Sequence, residues 1–198
     1  MRPPVLACWL LAALAPLRAA NFTIVLEFRG PHSERSVATM EREFEKIMKG
    51  SGLKFDWRLR DEAEGLDFDN LVVMRFNGSC TLEPPGYLYD ERGPLAFTYT
   101  TDGAVLSFSD VACDHVSASV RSGLHNVDLL RGDLLLGRAL GRVVAHEFVH
   151  AVTKSGAHGR EGVTQAAISR ARLLADELPL SPADFERLRA LTKNPTDK

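Results

Sequence analysis

The sequence predicts an α+β domain in which a mixed sheet of about four to five strands comes first and helices come last. Three observations carry this. Short β-branched and aromatic runs recur through the first half of the chain, separated by turn residues. A longer apolar stretch, from Leu129 to Val152, repeats with a helical rather than a strand period. After a leader, about 178 residues remain, which suits one domain with a real core.

Taken in order, the chain opens with a basic Met1-Arg2, an apolar core from Val5 to Leu17 and the small residues Ala19-Ala20. This is the plan of a secretory signal peptide over residues 1–20, with an apolar core too short to span a membrane comfortably. Arg18 departs from the small residue preferred near a cleavage site, so an uncleaved anchor is the alternative. Cys8 lies too early in the apolar core for a lipid-attachment cysteine.

The domain is expected over residues 21–192, followed by a frayed tail at 193–198. Phe22 to Arg29 reads as the first strand. Ser36 to Lys49 reads as an amphipathic helix, with Val37, Met40, Phe44, Ile47 and Met48 on one face and Gly50 ending it. Phe55 to Leu59 and Leu71 to Phe76 read as strands, and Glu83-Pro84-Pro85-Gly86 as a loop. Leu95 to Thr100 and Ala104 to Phe108 read as a hairpin around Thr101-Asp102-Gly103. After the long helix, a helix is expected from about Val163 to Leu178. A last one starts at Ser181-Pro182, where serine caps and proline fits the first turn.

The long helix contains His146-Glu147-Phe148-Val149-His150. Residues four apart on a helix stand one turn above each other, so both imidazoles can grip one metal ion. Glu147 is then placed to act as general base on water, the arrangement of a zinc hydrolase, most often a peptidase. The pattern arises by chance in roughly 1 chain in 100 of this composition, so its context matters. Leu134, Leu135, Leu136, Ala139, Leu140, Val143, Val144, Phe148 and Val152 supply the helix. A buried helix whose histidines are satisfied by hydrogen bonds is the competing reading.

Catalytic zinc usually takes three protein ligands and keeps a position open. His158 is the preferred third ligand. Thr153-Lys154-Ser155-Gly156 looks like a helix end, with Lys154 at the negative pole and Gly156 in the left-handed closing position. A reversing loop would then return His158 to the metal. The rivals are Glu161, Asp176 and Glu177, the last two on the following helix.

Removing the leader leaves Cys80 and Cys113, an even pair that suggests one disulfide in an oxidising compartment. Closing that loop contributes roughly 3–4 kcal/mol in the chain-entropy model. Two free thiols are the alternative. The leader holds two of the 24 basic residues, so the mature domain carries 22 against 26 acidic ones, a net charge of about −4. No basic patch stands out, which disfavours nucleic acid as a partner. Asn21-Phe22-Thr23 and Asn77-Gly78-Ser79 match the glycosylation acceptor pattern, which matters only in a glycosylating host.

The order of a mixed sheet and then a metal-bearing helix resembles the zincin metallopeptidases. The stretch Ala139 to His150, with His158 and Gly162 after it, resembles a group of uncharacterised secreted bacterial proteins predicted to be zinc metalloproteases. The likeness covers the leader, the Cys113-Asp114 region and the motif helix to about Ser169. It implies a small zincin-like domain with zinc at His146, His150 and His158 and Glu147 as base. It also implies an edge strand beside the cleft, for which Ala104 to Phe108 is the local candidate; extended peptides could add to it. An ordinary hairpin with a protected edge is the alternative.

The chain departs from metzincins: Gly156 stands where their third histidine would fall, and no methionine follows Met74 to form a methionine turn. Tyr87, Tyr89 and Tyr99 are candidates for steadying an oxyanion by type alone. The expected product is a secreted or periplasmic, monomeric zinc peptidase, free of the membrane once the leader is removed. Its partner would be a peptide or protein substrate. A zinc-stabilised binding module without turnover is the alternative.

Overall fold

A computed structural model describes residues 21–83, 86, 92–124 and 129–193. The leader, Tyr87, Tyr89, the Pro84-Pro85 pair and tail residues 194–198 lie outside the described residues. The elements run β1 (Asn21–Phe28), α1 (Glu34–Met48), β2 (Lys54–Leu59), α2 (Arg60–Ala63), β3 (Leu71–Asn77), β4 (Ala96–Thr101), β5 (Ala104–Ala112), α3 (Cys113–Arg121), α4 (Leu129–Thr153), α5 (Arg170–Leu174) and α6 (Pro182–Lys193).

The five strands form one sheet in the order β2-β1-β3-β5-β4. The β1–β2, β1–β3 and β3–β5 pairs are parallel, and β4 runs antiparallel to β5. Parallel neighbours need crossovers, and α1 is the one between β1 and β2. The β4–β5 hairpin turns at Asp102-Gly103, both at positive φ (48° and 79°), as a two-residue turn matched to strand twist demands. β4 is therefore the edge strand at this end of the sheet, and β2 at the other. The strand expected at the edge, β5, is the inner one, because Phe108 to Ala112 also pair with β3.

One face of the sheet carries the core. Ile24, Leu26, Val72, Met74, Phe76 and Val111 are buried against α1, α3 and α4. Helix α4 runs through this core, with Leu136, Ala139, Leu140, Val144, Ala145, Phe148 and Ala151 fully buried. Its closest neighbour is α1. A Cβ on Gly137 would stand 2.5 Å from the Ser36 carbonyl oxygen, and one on Gly141 would stand 2.7 Å from that of Met40. The absent side chains let the two backbones meet. Ser33 caps α1 by accepting from the Ser36 amide (3.4 Å), and its hydroxyl donates to Asp133 of α4 (3.0 Å).

Arg142 is wholly buried in this layer. Its Nε donates to Glu43 Oε1 on α1 (2.8 Å), and its Nη1 donates to the carbonyls of Arg172 and Leu173 (2.5 and 3.0 Å). Burial lowers its pKa, which the Glu43 carboxylate partly offsets. Arg138, one turn earlier, donates to the carbonyls of Leu174 and Ala175. The two arginines thus close the C-terminus of α5.

The disulfide between Cys80 and Cys113 is formed, joining the segment after β3 to the start of α3 across 33 residues. Among the described residues no helix is long and apolar enough to cross a membrane.

Two further expectations need correction. The helix expected over 163–178 shrinks to α5, five residues long. Val163 and Thr164 instead make loop bonds: the Val163 amide donates to the Pro179 carbonyl (2.9 Å), and the Thr164 carbonyl accepts from the Gly159 amide (3.0 Å). The left-handed residue after α4 is Lys154 (φ 52°), not Gly156. Its Nζ reaches Ser107 Oγ on β5 (2.7 Å).

The α1–α4 contact makes a direct prediction. Gly141→Ala raises intrinsic helix propensity by about 1 kcal/mol but forces the helices apart, so a net destabilisation of about 1–3 kcal/mol is expected. Urea denaturation midpoints measure it, and a stabilised variant would contradict the packing described.

Candidate metal centre

Helix α4 sets three of the four motif side chains of interest on one side. His146, Glu147 and His150 are 9%, 5% and 6% exposed. Phe148 points into the core, where it makes edge contacts with Phe22, Phe44 and Phe55 (centroids 5.2–5.5 Å). Such aromatic packing fixes the roll of the helix about its axis.

The ring nitrogens of both buried histidines can be assigned from their partners. His146 Nδ1 lies 2.9 Å from the Val163 carbonyl oxygen, and His150 Nδ1 lies 2.6 Å from that of Ser155. A carbonyl only accepts, so each Nδ1 carries the proton and donates it. Both Nε2 atoms are then bare lone pairs, and they lie 3.0 Å apart. Two lone pairs cannot bond to each other, whereas a shared cation satisfies both. Carbonyl-oriented imidazoles of this kind are the usual outer shell of a metal site.

His158 completes the group. It is exposed, and its ring centroid lies 5.2 Å from that of His146 and 4.8 Å from that of His150. One ligand atom from each of the three histidines falls within 4.8 Å of the others, so the group could hold a metal ion. The loop that delivers His158 begins at Lys154, and the Ser155 amide still donates to the His150 carbonyl (3.3 Å). The rival ligands stay out of this group: Glu161, Asp176 and Glu177 are exposed, and Asp176 pairs with Arg138 (3.3 Å).

Glu147 faces the same cleft. Its Oε2 accepts from Thr98 Oγ1 on the edge strand (2.7 Å), and Thr98 Oγ1 lies 2.8 Å from Ser109 Oγ on β5. The Thr98 hydroxyl has one proton, which goes to the carboxylate, so Ser109 is the donor in the second bond. Burial raises the Glu147 pKa to about 7 against the lowering effect of the Thr98 bond. Burial lowers His146 to about 4 despite the opposing Val163 bond, and it lowers His150 as well.

The cleft has a volume of about 620 Å³. Its floor is α4, one wall is β4 with the segment before it, and the other is Gln165 to Ile168 with His158 and Gly156. Among the described residues, Glu147 and the histidines are the ionisable side chains that line it. Tyr99 is turned away: its hydroxyl donates to Asp110 (3.0 Å) and accepts from Arg75 (3.0 Å).

Sequence reasoning found the histidines and Glu147 but missed Thr98, Ser109 and the Val163 and Ser155 carbonyls. Thr98 and Ser109 carry no motif; only the hairpin register, which sets them opposite each other, brings them together. The carbonyls belong to loops that no periodicity describes. Neither a protein-family model nor a curated protein matches the chain.

The two large shifts make a prediction for metal-free protein. His146, lowered from 6.5 to about 4, makes the fold lose stability as pH falls through that window. Glu147, raised from 4.5 to about 7, makes it lose stability as pH rises through its own window. Each effect is on the order of 3 kcal/mol, and the two largely cancel between the overlapping limits. Glu147→Gln removes one of them. Chelator-treated E147Q should therefore lose stability on acidification from pH 6.5 to 4.5 more steeply than wild type, as read from urea midpoints.

Proposed function

We propose that the protein is a zinc-dependent peptidase of zincin-like architecture, with Glu147 as general base. The observation that carries this is the convergence of bare imidazole nitrogens beside a buried carboxylate at the floor of an open cleft. A set of three neutral imidazoles with an open side suits zinc, and among the described residues both cysteines, Cys80 and Cys113, are bonded to each other and offer no competing thiolate.

Zinc, when bound, acidifies water and polarises a carbonyl. The chain supplies the rest. His146, His150 and His158 hold the ion, and the Val163 and Ser155 carbonyls keep the first two in the correct tautomer. Thr98 holds Glu147 Oε2, so Oε1 is the oxygen assigned to proton transfer. Glu147 takes a proton from water and returns it to the leaving nitrogen. An extended peptide is the substrate best suited to the cleft, because β4 ends the sheet and offers its backbone along one wall. Among the described residues the rest of the lining is uncharged, which favours neutral side chains near the scissile bond.

Purified protein is expected to hold one zinc and to cleave casein or a peptide library. Glu147→Gln should keep the zinc and lower the rate by about 10³-fold, the scale of a lost general base. Zinc-loaded wild type that cuts no peptide would overturn the proposal. Thr98→Val should lower kcat by about 10-fold with zinc content and KM unchanged, while Thr98→Ser keeps the hydroxyl and the rate.

A further inference from the structure

The loop from Ser155 to Ile168 does two things for the histidines: it presents His158, and it carries the Val163 carbonyl that orients His146. That loop has no helix or strand of its own. It is held by α6. The Thr164 hydroxyl, next to Val163, donates to Asp184 Oδ2, and Ser181 Oγ donates to the same oxygen (2.6 Å). Asp184 and Thr164 are each 1% exposed.

A capping role accounts for only part of this. Ser181 accepts from the Asp184 amide (3.1 Å), which is ordinary helix capping. The Thr164 bond spans 20 residues and has no part in the cap. Around it the backbone closes tightly. The Gly159 amide, one residue past His158, donates to the Thr164 carbonyl (3.0 Å). A Cβ on Gly159 would stand 2.6 Å from Thr164 Oγ1 and 3.4 Å from Asp184 Oδ2. Gly162 (φ 75°) lets the loop pass Pro179 and Ser181, within 2.7 and 2.8 Å of where its Cβ would be.

We infer that Asp184 and Thr164 form a latch that positions the metal centre, so that metal affinity depends on the docking of α6. This rests on the metal reading of the three histidines. Asp184 contacts no metal ligand or substrate, although its charge is felt at His146 and His150 and its Oδ1 pairs with Arg187 (3.4 Å); the latch itself runs through Thr164 to the backbone at Val163 and Gly159. Losing the latch frees the Val163 carbonyl and the His158 loop together. The effect belongs to binding of the ion before it belongs to turnover.

The test is zinc affinity by competition with a chromophoric chelator at neutral pH, well below the denaturation temperature of each variant. Asp184→Asn and Thr164→Val are expected to weaken zinc binding by about 10–100-fold, the range for groups that orient ligands, while Thr164→Ser stays within about twofold of wild type. Glu43→Gln, which breaks the Arg142 pair, serves as a control that lowers stability while keeping affinity within about twofold. If Asp184→Asn fails to fold, the Thr164→Val and Thr164→Ser pair decides. A folded Thr164→Val with wild-type affinity, or a control weakened as much as the latch variants, overturns the inference and leaves the zinc reading standing. Wild-type protein that binds no zinc overturns both.

Discussion

Helix α4 carries Arg142, His146, Glu147 and His150 through the apolar core, where a polar group without a partner costs a few kcal/mol. That constraint organises the rest of the molecule. Their polar groups are answered from several directions, save Arg142 Nη2, which is buried without a hydrogen-bond partner. Arg142 is met by α1 and by the end of α5, His146 and His150 by carbonyls of the loop after α4, and Glu147 by the edge strand. The helix can sit this deep only because Gly137 and Gly141 let α1 approach its backbone. The bare Nε2 atoms of His146 and His150 face each other, and with His158 they form a group that could hold a metal ion.

Seen this way, the cleft is a by-product of solving the burial problem. β4 lies alongside α4, where Thr98 reaches Glu147, and among the described residues no strand pairs beyond it. The loop after α4 folds back because two imidazole protons need acceptors. The return of that loop brings His158 within range of the other two histidines. Stability and the candidate chemistry thus rest on the same bonds.

Much of this was legible in the sequence, for reasons that differ by element. The strands, α1 and the N-terminus of α6 announce themselves through local pattern, and Asp102-Gly103 marks its turn because few residue pairs accept two positive φ values. The His146–His150 pair is readable because helical spacing alone dictates its geometry. The third candidate ligand, His158, was legible only as a preference, since a loop has no period. The helix expected over 163–178 failed because tertiary bonds to Pro179 and Gly159 outweigh the helical propensity of an Ala- and Leu-rich segment. The edge was misplaced by one strand because sheet order follows from long-range pairing. Thr98 and Asp184 were invisible: each is an ordinary polar residue until the fold sets it beside its partner.

The disulfide has a topological meaning beyond its contribution to stability. Cys80 and Cys113 bracket the whole β4–β5 hairpin, including Thr98 and Ser109. That hairpin is therefore a closed covalent ring, tied at one end to the strand that precedes it and at the other to α3. A single backbone cut anywhere inside the ring leaves the two fragments joined. In a mixture where such molecules meet a protease, one nick on this wall does not release it.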